Sequence, residues 1–264
     1  MAELAASIEG IGVVGPGLCN WPATAAVLTG AAPYQPARTV LPAPEVLPPA
    51  ERRRAGRTIR LALAVGAEAV AQARRDPRAL ASVFSSSGGD GDNCHEICLA
   101  LADQQRLISP TRFHNSVHNA AAGYWSIAHD CTEASVTLCA YDGSFSAALL
   151  EAMTQIAQQS SPVLLIAYDT DYPAPIQAHR RIVDAFGVAL VLAPVDGRAA
   201  LATLRVALSP QAPTALTRPE LEALRLSSPA ARGLPLLEQL AQARTGTVTL
   251  DYLEELRLAV EILA

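Results

Sequence analysis

What this chain lacks narrows its class before any motif is read. No apolar run approaches the ~20 residues that cross a bilayer. Met1 to Gly10 carries Glu3 and Glu9 where a secretory leader has a basic region and then an apolar stretch. The expectation is a soluble, cytoplasmic chain with no membrane span. Only five cysteines occur, odd in number and scattered, and without an export signal they are expected to be reduced. Positive charge is short: 20 basic against 25 acidic residues leave a net −5. That balance excludes a general nucleic-acid binder, because neutralising phosphates takes a basic surface. From residue 210 to residue 264 there is neither histidine nor lysine, so this stretch offers no imidazole or amine for acid/base work.

What is present is a long apolar chain. With 264 residues, half of them apolar, it can bury a large core. Ile8 to Val14 reads as a buried strand entering a glycine-rich turn at Gly15-Pro-Gly17. Pro33 to Pro49 carries six prolines and reads as an irregular surface excursion. Glu51 to Arg75 has helical spacing, with Ile59, Ala62, Leu63, Gly66, Ala69 and Val70 on one stripe and arginines opposite. A strand at Ser82–Ser86 is broken by Ser87-Gly-Gly-Asp90 before a helix from about Asn93 to Gln104. A helix over Asn119–Ile127, a strand over Ala134–Cys139 expected to be central and buried, and a helix running to Gln158 follow. On the last of these, Phe145, Ala148, Leu149, Ala152, Met153 and Ile156 form one stripe. Strands at Val163–Tyr168, Val188–Leu192 and Leu201–Leu208 complete an alternation of strands and helices that predicts a layered α/β fold with both sheet faces covered. Pro210, Pro213 and Pro219 mark a linker, so the division is residues 1–208 and 209–264. The second part holds about two short helices and a hairpin-like pair, Thr247–Asp251 and Glu255–Ile262.

Four stretches together are similar to the N-terminal half of a thiolase-fold β-ketoacyl synthase. They are Ile8–Pro16, Ser85–Gly89, Ile108-Ser-Pro110 with Asn119-Ala-Ala-Ala-Gly-Tyr-Trp-Ser-Ile127, and the strand Ser135-Val-Thr-Leu138. Phe186–Leu192 resembles that half's closing strand more weakly. The resemblance implies a thiolase-like fold whose N-terminal half is largely complete and whose C-terminal half is strongly shortened. It places the turn Cys139-Ala-Tyr-Asp-Gly-Ser144 where the family keeps its cysteine nucleophile, and there this chain has Asp142. A carboxylate is a weaker nucleophile than a thiolate, and its acyl product is a labile mixed anhydride. The family also takes two histidines and a lysine from its C-terminal half, which residues 210–264 do not contain. Such a chain resembles the chain-length factors that pair with a ketosynthase in type II polyketide systems, most closely the short kind of aryl polyene pathways. The implied partners are a full-length ketosynthase and, through it, an acyl carrier protein; no cofactor and no metal are implied. By the same resemblance Arg112, Phe113, His114, Ser116, His118 and Asp142 lie at the dimer interface or acyl tunnel, with Phe113, Val117, Tyr124 and Trp125 as interface anchors. The rival from another class is a stand-alone thioesterase or decarboxylase acting through Asp142 or Ser144.

Plainer readings compete at each position. Asp142 at a strand-to-helix turn suits an N-cap, which contributes about 1 kcal/mol. Cys139 at the end of a buried strand is expected to pack as a small inert hydrophobe. His114 with His118, and Cys94 with His95 and Cys98, complete no tetrahedral ligand set. Ser144 lacks the second glycine of a hydrolase elbow. Ser85–Gly89 lacks the Lys-Ser/Thr of a nucleotide loop. Arg52, Arg53, Arg54, Arg57 and Arg60 suit a dock for an acidic carrier protein and a solvated helix face equally.

Overall fold

The computed structural model describes residues 4–182 and 184–264; Glu3, used above in reading the N-terminus, lies outside them. Its strands are β1 (Leu4–Val14), β2 (Ala81–Ser85), β3 (Ser135–Leu138), β4 (Val163–Asp169), β5 (Phe186–Ala193), β6 (Ala202–Ser209), β7 (Gly246–Leu250) and β8 (Arg257–Leu263). They form an eight-stranded sheet in the order β3-β2-β4-β5-β1-β6-β8-β7. Between them run α1 (Trp21–Thr29), α2 (Pro49–Arg54), α3 (Arg57–Ala73), α4 (Gly91–Ala102), α5 (Pro110–Asn115), α6 (Ala120–His129), α7 (Ser144–Gln159), α8 (Ala174–Gln177), α9 (Pro219–Ser227) and α10 (Leu234–Ala241).

The apolar pattern of each strand reports how many of its faces are covered. Along β4, Val163, Leu165 and Ala167 join one core, while Leu164, Ile166 and Tyr168 join the other. β5 divides the same way, with Val188, Leu190 and Leu192 on one side and Ala189 and Val191 on the other. Burial on two faces is why these strands read as unbroken apolar runs. α3 and α6 cover the second face, and α7, α1 and α10 cover the first. Gly10 and Gly12 let α3 lie directly on β1: an added Cβ would fall 2.1 Å from the Ala69 carbonyl oxygen at one and 2.0 Å from that of Val65 at the other.

β1 also turns the sheet. Its register with β5 shifts between Ile8 and Gly10; residues 4–8 pair with β6, and residues 7–8 and 10–14 pair with β5. The strands beyond that bend send Ala202, Leu204, Val206, Val248, Leu250, Leu258, Val260 and Ile262 into the α7 core. Their alternate residues, among them Thr203, Arg205, Thr247, Ala259 and Glu261, are not buried. Residues 209–264 therefore share both the sheet and the first core with the rest of the chain.

Two expectations are corrected. The strand at 135–138 is at the sheet edge, paired in parallel with β2 alone, and Ser135 and Val136 are exposed. A short apolar strand carries no local sign of how many neighbours it pairs with. The helix expected over Glu51–Arg75 is two helices, because the chain leaves helical geometry at Ala55 and Gly56, and Gly56 starts α3 with ψ 176°.

Candidate functional site

The turn between β3 and α7 is held by its own hydroxyl. Tyr141–Gly143 forms one 3-10 turn, with Tyr141 in the left-handed region at φ 51°. Ser144 Oγ accepts from the Ala140 N–H at 3.1 Å and donates to the Tyr141 carbonyl at 2.7 Å. This buried serine is engaged in shaping the turn. Gly143 brings the C-terminal segment against it, since a Cβ there would fall 2.1 Å from the Tyr252 carbonyl oxygen.

Asp142 does not cap α7. The capping position is Gly143, without a side-chain bond, and the Asp142 carboxylate turns to two guanidinium groups instead. Arg180 donates to its Oδ1 at 2.7 Å, and an Arg232 Nη stands 3.6 Å from its Oδ2. The Arg180 guanidinium also lies over the Tyr141 ring, 3.5 Å from its centre. Arg232 reaches Asp251 at 3.3 Å, and Arg225 reaches Asp251 at 2.6 Å and Glu222 at 2.7 Å. A carboxylate paired with two guanidiniums is a poor nucleophile. The guanidiniums cannot serve as bases, because they do not deprotonate in proteins. No lysine occurs anywhere in the chain. Next to the turn is a cleft of about 430 Å³ lined by Tyr141, Asp142, Asp251, Tyr252, Leu253 and Arg257.

Cys139 is exposed, contrary to the packing expected of it, because β3 is an edge strand; its thiol donates to the Ser87 carbonyl at 3.2 Å. The serine-rich loop after β2 spends its donors inside the protein. Ser85 Oγ donates to the Ser144 carbonyl at 2.8 Å, and Ser87 N and Oγ donate to Asp169 at 2.8 and 2.7 Å. Asp169 accepts from the Ala230 N–H at 2.9 Å as well, so it ties this loop to the C-terminal segment. Full burial raises its pKa to about 6, against the lowering effect of these hydrogen bonds.

The candidate interface residues gather on and after α5. Arg112, Phe113, His114 and His118 are exposed, while Ser116 is half-buried with its hydroxyl on the Phe113 carbonyl at 2.8 Å. Arg112 pairs with Glu96 at 3.3 Å. His114 meets the Tyr124 ring edge-on, whereas His118 Nε2 lies 3.1 Å from the Ser86 carbonyl oxygen, so the two rings serve different partners. Among the described residues no group of three or more His, Cys, Asp and Glu is placed to hold a metal ion. Of the four expected anchors, Phe113 and Val117 are 68% and 53% exposed. Tyr124 and Trp125 are not anchors: at 1% exposure they belong to the core under α3. The Tyr124 hydroxyl donates to the Asn115 side-chain oxygen at 3.1 Å. Beside Phe113 an apolar groove of about 520 Å³ runs along Pro110, Val117, Ala120, Gly123 and Ile127.

No sequence pattern singles out Arg180, Arg232 or Asp169. Ser144 was the available signal, since a turn with its own hydroxyl leaves the neighbouring carboxylate free for other partners.

The family model for the β-ketoacyl synthase N-terminal domain matches residues 23–251. None of the curated proteins matches the chain. Among solved structures, one titled as a ketosynthase (ApeO) in complex with its chain length factor (ApeC) from Xenorhabdus doucetiae is similar, with TM-score 0.75 at 22% identity over 97% of this chain and 99% of the matched one. The ishigamide ketosynthase/chain length factor gives 0.75 at 16% identity over 98% and 99%. A complex titled AntDE:AntF, a type II polyketide synthase acyl-carrier protein with its ketosynthase bound to the hexaketide, gives 0.76 at 11% identity over 100% of both chains. At these identities the likeness establishes a shared fold, and the chains matched are about as long as this one. No helix among the described residues is long and apolar enough to cross a membrane. The match of the family model over most of its length makes this chain a member of the β-ketoacyl synthase N-terminal domain family.

Proposed function

We propose that this chain is a non-catalytic chain-length factor that forms a heterodimer with a full-length ketosynthase and helps wall the tunnel in which an acyl or polyene chain grows. The observation that carries this reading is the apolar groove along α5 and α6, where Phe113, Val117 and Ile127 are exposed, in a molecule whose sheet ends at the open edge of β3. Large apolar side chains gathered on one face mark a partner surface. The fold neighbours titled as ketosynthase with chain length factor supply the kind of partner, and the aryl polyene type of pathway is the subtype proposed. Arg112, Phe113, His114, Ser116 and His118 are proposed as interface or tunnel-end residues.

The partner supplies the cysteine and the histidines in this reading, and the carrier protein delivers substrate to the partner. Asp142, at the proposed nucleophile position, is held by Arg180 and Arg232 and supports no acyl transfer. A tunnel wall sets length because forcing one further two-carbon unit against packed side chains costs about 1 to 3 kcal/mol, which slows that step about ten-fold or more.

The test is to incubate the purified chain with malonyl- and acyl-carrier protein, alone and with the co-expressed ketosynthase. The chain alone should give no extension, and Asp142→Cys should not create it, since a thiol does not bring the missing histidines. Extension or thioester hydrolysis by the chain alone contradicts the proposal and favours a thioesterase or decarboxylase.

A further inference from the structure

We infer that Arg180 and Arg232 form a binding site for a small carboxylate, and that Asp142 is its occupant supplied by the chain itself. The cations lie deeper than the anion they hold: the side chains of Arg180 and Arg232 are 19% and 12% exposed, while that of Asp142 is 45% exposed. The carboxylate thus enters from the solvent side of a site that the protein builds from within. Arg180 is set in place independently of it, stacked over the Tyr141 ring at 3.5 Å. Arg232 is anchored separately by Asp251 and retains a buried Nε–H without a partner.

Charge counting gives the same answer. The connected groups are Arg180, Arg225 and Arg232 against Asp142, Asp251 and Glu222, so the cluster is neutral only with Asp142 in place. Removing that carboxylate leaves one positive charge among largely buried groups, which is costly unless an anion replaces it. The cleft of about 430 Å³ that Asp142 lines lies on the solvent side of the pair, so the space the carboxylate leaves is open to the medium. In the native chain the site is closed to such ligands by its own side chain. This inference rests on the ion-pair geometry alone and does not need the ketosynthase partner, so the failure of one leaves the other standing.

Asp142→Ala tests it through thermal melting in chloride, formate, acetate and malonate at matched ionic strength. In chloride the variant should melt several degrees below the native chain. Acetate and formate should restore most of that loss with a saturable dependence, while the native chain melts equally in all four. Asp142→Asn, whose amide still fills the space, should not respond, and Arg180→Gln added to Asp142→Ala should remove the response. If the alanine variant does not fold in chloride, its refolding yield in acetate against chloride becomes the readout. Equal behaviour of Asp142→Ala in acetate and chloride, or an equal gain by the native chain, overturns the inference.

Discussion

Among the described residues, two faces lie open to solvent, and their chemistry is opposite. The outer face of β6, β8 and β7 shows threonine, arginine, glutamate and alanine, with Arg205 and Glu261 paired across the strands at 3.6 Å. The face of α5 and α6 shows Phe113, Val117 and Ile127. Strict alternation on β8 has adapted the first face to water, whereas the second keeps large apolar side chains exposed, the kind that a docking surface uses. Exposure alone therefore does not mark a docking surface; what is exposed does.

The largest effect that would break this contrast is on assembly. Phe113→Asp puts a charge where the account places a desolvated contact, and co-purification with a ketosynthase should fall at least ten-fold, as for a hot-spot residue. The chain's own melting temperature should hardly move, because Phe113 is already in water. Trp125→Ala sharpens the boundary between that face and the core beneath it. A buried Trp→Ala costs about 3 to 5 kcal/mol, so the melting temperature should drop by about 10 °C. If Trp125 were an interface residue, assembly would suffer and the isolated chain would not.

Asp169 joins the loop after β2 to the C-terminal segment at Ala230, and its titration gives a smaller, pH-dependent effect. Its folded pKa, about 6, lies above the ordinary 3.8, so between pH 4 and 6 the folded chain holds a proton that the unfolded chain has lost. This group's contribution is full below about pH 4 and is lost as pH rises through 6. Asp169→Asn should remove that falling limb from stability measured by denaturant titration at pH 4, 5 and 6, at the cost of mismatching one of the N–H donors. The smallest effect on assembly belongs to the watery face: Thr247→Asp on β7 faces Glu261 across the strands, should cost the chain about 1 kcal/mol, and should leave co-purification intact.

Much of the fold was legible because burial writes itself into local pattern. β4 and β5 read as unbroken apolar runs, the α7 stripe from Phe145 to Ile156 is buried throughout, and the closing hairpin is at 246–250 and 257–263. Where two environments ask for the same side chain, the pattern is silent. Tyr124 and Trp125 suit a core and an interface equally, and only the position of α6 against α3 separates them from Phe113. The site was less legible still. Asp142, Arg180 and Arg232 are brought together across 38 and 90 residues of chain, and no periodicity records such a meeting. The break at Gly56 was visible in principle, since glycine disfavours a helix interior.

In the proposed complex the α5–α6 face, and not the β6–β8–β7 face, receives the ketosynthase. The most direct test is native mass measurement of the chain co-expressed with its ketosynthase, comparing Phe113→Asp with Thr247→Asp. A one-to-one complex is expected for the native chain and for Thr247→Asp, and free subunits for Phe113→Asp. A complex that survives Phe113→Asp and is lost with Thr247→Asp would contradict it.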